Sequence, residues 1–198
     1  MDEHTPTKAS NVVISTWPAK DEDPFHALLQ EKGVEVLSMP LIEIHFLPFA
    51  LPGDAVHYQW LVFTSKNGVH AFFSQHPPLP NARIAVIGEG TARALKAEGL
   101  QPTFTGSGKS GGRFANELKS VIGTDQKVLL ALGNLAPDTL SDELAGNNHV
   151  DRVNVYETSP VSDVDPHIMR RIEEDDYDVI AVSSPSAVKS LNQRTGAA

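Results

Sequence analysis

Along this chain, short unbroken apolar runs alternate with turns rich in Gly, Ser, Thr or Pro and then with segments of helical periodicity. Strands buried on both faces of a parallel sheet read as continuous apolar runs, so the alternation predicts βα units. Six are predicted: 12–15 leading into 24–31, 60–63 into 67–73, 84–87 into 91–97, 103–105 into 113–122, 128–132 into 138–144, and 179–182 into 186–191. The fold class that follows is α/β. Two of the units also match each other directly: Trp60-Leu61-Val62-Phe63-Thr64-Ser65-Lys66-Asn67-Gly68-Val69 aligns with Val179-Ile180-Ala181-Val182-Ser183-Ser184-Pro185-Ser186-Ala187-Val188. A strand, a hydroxyl-rich turn and a helix repeated over a hundred residues apart suggest two lobes of one architecture.

Two segments break the plan. Residues 40–46 and 153–158 alternate apolar with polar, as half-exposed strands do. Paired side by side, they would form a two-stranded bridge, with one lobe between them and the other built from both chain ends.

Composition narrows the classes. With 40% hydrophobic and 21% charged residues among 198, the chain sits in the globular range. It has no Cys, no apolar run of the roughly 18 residues a membrane helix needs, and a polar start, MDEHTPTKAS; the expectation is a cytoplasmic protein without disulfides. A net charge of −9 argues against nucleic acid or an anionic membrane as partner.

Candidate chemistry lies in the strand-to-helix turns. Ligands of open α/β sheets bind beyond the carboxyl ends of the strands, where helix N-termini present free N–H groups and partial positive charge. Four such turns carry hydroxyls, Ser15-Thr16, Thr64-Ser65, Thr91 and Ser183-Ser184. Helix capping alone accounts equally well for each. Gly88-Glu89-Gly90-Thr91-Ala92-Arg93 imitates a dinucleotide fingerprint but has Arg93 where the third Gly belongs. Gly106-Ser107-Gly108-Lys109-Ser110-Gly111-Gly112 contains Gly-Lys-Ser, yet Thr103 stands where a P-loop has its first Gly. The eight His form no metal-binding pair, and no G-x-S-x-G elbow is present. Tyr156, in the second bridging segment, is placed either to direct its phenol into a cleft as a hydrogen-bond donor or to pack as a rim aromatic.

In their order, Pro40-Leu41-Ile42-Glu43-Ile44, Phe63-Thr64-Ser65-Lys66-Asn67-Gly68-Val69, Ile87-Gly88-Glu89-Gly90-Thr91-Ala92, Val155-Tyr156-Glu157-Thr158 and Ser183-Ser184-Pro185-Ser186-Ala187-Val188 resemble the uroporphyrinogen-III synthases. The resemblance implies two flavodoxin-like parallel-sheet lobes joined by a two-stranded β linker: 1–40 with 159–198, 47–152, and linker strands 41–46 and 153–158. It implies a cofactor-free lyase that cyclises the linear tetrapyrrole hydroxymethylbilane, a polycarboxylate, with loss of water and inversion of ring D. Tyr156 matches the family's cleft tyrosine. Thr16, Thr64, Ser65, Asn67, Gly88, Thr91, Ser183 and Ser184 would hold the substrate, with helix N-termini explaining how an acidic chain takes an acidic ligand.

The chain also departs from the family. Ser15-Thr16-Trp17-Pro18 replaces the usual Thr-Arg-Pro, and Ala136-Pro137 stands where Arg is common. Beyond Ser-Pro-Ser-Ala-Val the family continues with further βα units. The first lobe is therefore expected to be incomplete at its C-terminus, with an exposed edge that invites self-association. A binding protein that keeps the anion-holding turns without turnover is the competing expectation. An unrelated flavodoxin-like flavin or signalling protein would show a bound yellow cofactor or a phosphorylatable Asp at a strand end, and Asp21 and Asp138 are not convincingly placed for the latter.

Overall fold

The computed structural model describes residues 11–17, 24–52, 57–75, 77, 81–108, 111–182 and 184–196. In chain order the elements are β1 (Val12–Ser15), α1 (Pro24–Glu31), β2 (Glu35–Ser38), β3 (Ile42–Phe46), β4 (Trp60–Phe63), α2 (Lys66–Phe73), β5 (Arg83–Ile87), α3 (Gly88–Ala97), β6 (Phe104–Gly106), α4 (Gly111–Ile122), β7 (Lys127–Gly133), α5 (Thr139–Ala145), β8 (His149–Pro160), α6 (Pro166–Glu173), β9 (Val179–Ala181) and α7 (Pro185–Thr195). They divide into two compact units, Met1–Glu43 with Ser159–Ala198, and Ile44–Thr158.

In the larger unit the sheet runs β3-β8-β7-β4-β5-β6. Strands β4 to β8 are parallel, with β4 flanked by β5 and β7. The run Trp60-Leu61-Val62-Phe63 shows why these residues make a central strand. All four are buried, and they alternate between two cores: Leu61 and Phe63 face Val69 and Phe72 of α2 and Leu95 of α3, while Trp60 and Val62 face Phe114 and Leu118 of α4 and Leu144 of α5. Burying each such side chain contributes about 1.5–3 kcal/mol, and a polar residue anywhere in the run would meet apolar neighbours on one face or the other. Tyr58, just ahead of β4, anchors the other end of the unit. Its hydroxyl shares its single proton between two acceptors, Asp151 Oδ2 at 2.7 Å and Pro52 O at 2.8 Å.

The smaller unit holds the parallel order β2-β1-β9, with Ile14, Met39, Leu41 and Ile168 at the centre of its core. Arg171 ties α6 to β2 through Glu35 at 2.8 Å and also grips Asp176 at 2.8 Å.

Pattern reading missed β2 and α6. Glu35-Val36-Leu37-Ser38 has no fully buried residue, and α6 buries only Ile168, so neither carries a strong apolar signal. The strand expected at 103–105 lies one residue later, and α3 begins at Gly88 rather than at Thr91. The alternating segment 153–158 is the far half of a twelve-residue strand, β8, whose near half runs parallel to β7. No helix among the described residues is long and apolar enough to cross a membrane.

Candidate functional site

In the larger unit the chain builds β4, β5 and β6 outward in one direction, then returns to place β7 on the other side of β4. A crevice opens at such a reversal, beyond the carboxyl ends of the two strands. Those ends carry Thr64-Ser65 after β4, and Gly133 closing β7 with Asn134 after it.

Ser65 is the N-cap of α2. Its backbone is extended (φ −152°, ψ 154°), and its Oγ accepts the Gly68 N–H at 3.0 Å. Four N–H groups at a helix start lack intrahelical partners, and a Ser hydroxyl at this position satisfies one of them. Gly68 eases a close approach: a Cβ there would sit 3.1 Å from Ala131 O of β7, a tight contact.

Tyr156 reaches the same point through a change in strand parity. Side chains of β8 should alternate, so Val153 and Val155 share one face and Asn154 and Tyr156 the other. The register with β7 is regular to Leu132↔Asn154 and then jumps to Gly133↔Tyr156, leaving Val155 as an extra residue. Such a bulge re-aims the side chain that follows it. Tyr156 therefore packs on the same apolar cluster as Val153 and Val155, beside α2. Gly133 makes room, since a Cβ there would lie 2.4 Å from Tyr156 Cζ and 2.8 Å from its oxygen. The result is a contact of 3.0 Å between Tyr156 Oη and Ser65 Oγ, from residues 91 apart in sequence.

The turn after β7 holds this arrangement in place. Asn134 N donates to Tyr156 O at 3.1 Å, and Asn134 Oδ1 accepts the Thr158 N–H at 2.9 Å. Arg152 donates to Gly133 O at 3.1 Å while its other terminal nitrogen pairs with Asp138 at 2.6 Å.

Other expected residues fall nearby or elsewhere. Thr64 and Asn67 are half-buried on either side of Ser65, at the end of β4 and in the first turn of α2. Gly88 opens α3 at φ +72°, a conformation an L side chain rarely adopts, and its cap position, Ile87, supplies no side-chain bond. It packs backbone to backbone with Gly108. Thr91 is buried in the first turn of the same helix. Glu117 steadies the chain just after β6 by accepting the Ser107 N–H at 2.9 Å; that bond, followed by Arg113, holds its carboxyl below the usual carboxylate range.

In the smaller unit Thr16 is fully buried, and both its N–H and its Oγ1 donate to Ala181 O, at 3.0 and 3.1 Å. Its neighbour Ser15, equally buried, meets His26 Nε2 at 2.6 Å. The hydroxyls of this turn are thus bound within the fold. Ser184 caps α7 as Ser65 caps α2, with φ −162°, ψ 159° and its Oγ accepting the Ala187 N–H at 3.2 Å; it also meets Ser186 Oγ at 2.9 Å. Ser183, Lys109 and Ser110 lie outside the described residues. Among those described, no group of three or more His, Cys, Asp or Glu could hold a metal ion.

Sequence reasoning singled out Tyr156 and Ser65 but missed Gly68, Gly133 and Asn134 as the residues that bring them together. A Gly ending a buried apolar run was the available signal, because it marks close approach of another group.

A family model described as uroporphyrinogen-III synthase HemD matches residues 23–198. The chain is 27% identical over 192 residues to the porphyrin biosynthesis protein HemD of Ruminiclostridium josui, covering 90% of this chain and 38% of that protein. It is 30% identical over 177 residues to the chloroplastic uroporphyrinogen-III synthase of Oryza sativa subsp. japonica, covering 83% and 58%. Less than two thirds of either relative is therefore spanned. Among solved structures, a substituted form of the Thermus thermophilus uroporphyrinogen III synthase superposes with a TM-score of 0.67 at 21% identity, covering 93% of this chain and 77% of that one. The uroporphyrinogen-III synthetase of Helicobacter pylori gives 0.62 at 16%, covering 93% and 78%. Both share the α/β fold with parallel sheets.

Proposed function

Because the chain belongs to the uroporphyrinogen-III synthase family, we propose that it performs that reaction: cofactor-free closure of hydroxymethylbilane to the type III uroporphyrinogen. The hydroxyl at the end of the linear tetrapyrrole leaves as water, and ring D is inverted through a spiro intermediate. The observation that carries this reading is the Ser65–Tyr156 pair at the reversal point of the larger sheet.

Tyr156 is the catalytic group. Its phenol offers a proton to the departing oxygen as the C–O bond breaks, and the hydroxyl leaves as water rather than as hydroxide. The N-terminus of α2 and that of α3, around Thr64, Ser65, Asn67, Gly88 and Thr91, supply N–H groups and positive dipole for the substrate's carboxylates. In the smaller unit we assign the same part to Ser184 at the start of α7 and, from its place in the sequence alone, to Ser183, while the buried Thr16 acts through backbone placement. We assign 1–40 with 159–198 and 47–152 to two flavodoxin-like lobes, with 41–46 and 153–158 as linker strands; the two compact units support this division. A cytoplasmic site of action fits a small anionic substrate. Half-exposed Val179 on β9 supports self-association through that edge, which sedimentation at rising concentration tests.

The assay gives the chain freshly prepared hydroxymethylbilane and separates the oxidised uroporphyrin isomers. Type III above the spontaneous type I background is expected. Type I alone, with uroporphyrin bound but not formed, would replace the enzyme with a binding protein.

A further inference from the structure

The contact between Ser65 and Tyr156 has a direction, and the direction decides what the phenol can do. A Ser hydroxyl has one proton and two lone pairs; a phenol likewise has one proton to give. One lone pair of Ser65 Oγ is taken by the Gly68 N–H at 3.0 Å. At 3.0 Å from Tyr156 Oη, either oxygen could be the donor. If the phenol donates to Ser65, its only proton is used internally. If Ser65 donates, the phenol proton is free to point at a ligand.

Two observations choose between these. The positive end of α2 lies against Ser65 Oγ and repels the hydroxyl proton, which turns away from the helix and toward Tyr156. Among the described residues, the hydrogen bonds of Ser65 Oγ are those with the Gly68 N–H and with Tyr156 Oη, so Tyr156 Oη is the acceptor that proton meets. We propose that Ser65 is a positioning residue for proton donation: a directed chain, Gly68 N–H to Ser65 Oγ–H to Tyr156 Oη–H, orients the phenol proton outward. Each bond in such a chain polarises the next, so the phenol also becomes a stronger donor. Ser65 therefore serves through Tyr156, beyond its service as a cap. The inference rests on the proposed catalytic role of Tyr156.

Three substitutions separate capping from orientation. Ser65→Thr keeps both the cap acceptor and the donated proton. Ser65→Asp keeps the cap, as a good N-cap residue, but its carboxylate can only accept, and so takes the phenol proton. Ser65→Ala loses both. Ser65→Asp is expected to unfold at the wild-type temperature or above, yet to lose kcat by about 10²-fold at saturating substrate, the usual worth of a positioned acid; its added charge also raises KM by repelling the substrate's carboxylates, so kcat is the readout. Tyr156→Phe should match that loss, the double variant should be no worse, and Ser65→Thr should remain within a few-fold of wild type. Full kcat in Ser65→Asp alongside a collapse in Tyr156→Phe overturns the inference and leaves the proposed function standing. Full kcat in Tyr156→Phe overturns the reading of Tyr156 itself.

A second readout needs no turnover. With 13C at Tyr Cζ, a phenol that accepts a hydrogen bond resonates upfield and one that donates resonates downfield. The chain has three tyrosines, so single Tyr→Phe variants assign the signals. Ser65→Ala should move the Tyr156 signal downfield as an accepted bond is lost, and Ser65→Asp should move it further. An upfield move in Ser65→Ala means that Tyr156 was the donor, and refutes the chain.

Discussion

Replacing Gly133 with Ala would place a methyl carbon 2.4 Å from Tyr156 Cζ and 2.8 Å from its oxygen. Carbon atoms rest at about 3.5–4.0 Å, so the ring must withdraw by about 1 Å. A shift of that size stretches the 3.0 Å contact with Ser65 beyond hydrogen-bonding distance. The overpacking costs about 1–3 kcal/mol and the lost hydrogen bond about 1 kcal/mol. Against these stands a gain of about 0.4–1 kcal/mol from stiffening the unfolded chain, because Gly133 is not among the glycines with positive φ and Ala can adopt its backbone. The net expectation is a loss of about 2 kcal/mol. In a Tyr156→Ala background the ring is gone, and the same methyl should be neutral or mildly stabilising. The stiffening gain is common to both backgrounds, so a double-mutant cycle should give a coupling energy of about 3 kcal/mol between positions 133 and 156. Urea unfolding can follow the larger unit alone, since Trp60 is buried there and a Trp17→Phe background removes the other tryptophan signal. If Gly133→Ala costs the same with and without the Tyr156 ring, the account of Gly133 as the space for the phenol is wrong.

Three further outcomes are expected. Burial, and then the bond and charge of Asp151, push the Tyr58 phenol above its ordinary value of 10.0; its contribution to stability is complete below that pH and is lost as pH rises beyond it toward the folded value. In an alkaline ultraviolet titration read as the difference from Tyr58→Phe, the Tyr58 phenol should ionise only with unfolding; its ionising while the fold persists would contradict this. The Glu117 carboxyl, held low by the Ser107 N–H, should keep that amide protected from hydrogen exchange until pH falls through the folded carboxyl's range; Glu117→Ala should remove the protection at neutral pH, and unchanged exchange would refute the bond. Arg171→Ala should destabilise the smaller unit by about 1 kcal/mol, with salt shrinking the difference, as for an exposed ion-pair network; a salt-independent loss would point to packing by the Arg stem instead.

Pattern reading found what continuous burial imprints on sequence. Trp60-Leu61-Val62-Phe63 and Val128 to Leu132 are apolar at every position because both faces of the sheet are covered, and Ser65 announces a helix start by its chemistry. Elements of the smaller unit left weaker marks: β2 has no fully buried residue and α6 buries one. For Tyr156 the residue type pointed to a role, but its facing could not be read. Alternation along β8 assigns the phenol to the side of Asn154, and only the pairing of Gly133 with Tyr156, a register shift between neighbouring strands, reverses it. Gly133 and Asn134 were hidden for the same reason, since their importance lies in what another strand brings against them.

The extra residue at Val155 makes the orientation of this tyrosine a matter of counting rather than of kind. Removing one residue there would leave every side chain of the pair present and turn the phenol to the opposite side of the sheet, toward α4 and α5, with a whole layer of strands between it and Ser65. When relatives are aligned, a one-residue gap between 153 and 156 should therefore weigh more heavily than several substitutions around it. Two chains that both carry the tyrosine but differ by that single residue would share its letter and not its place.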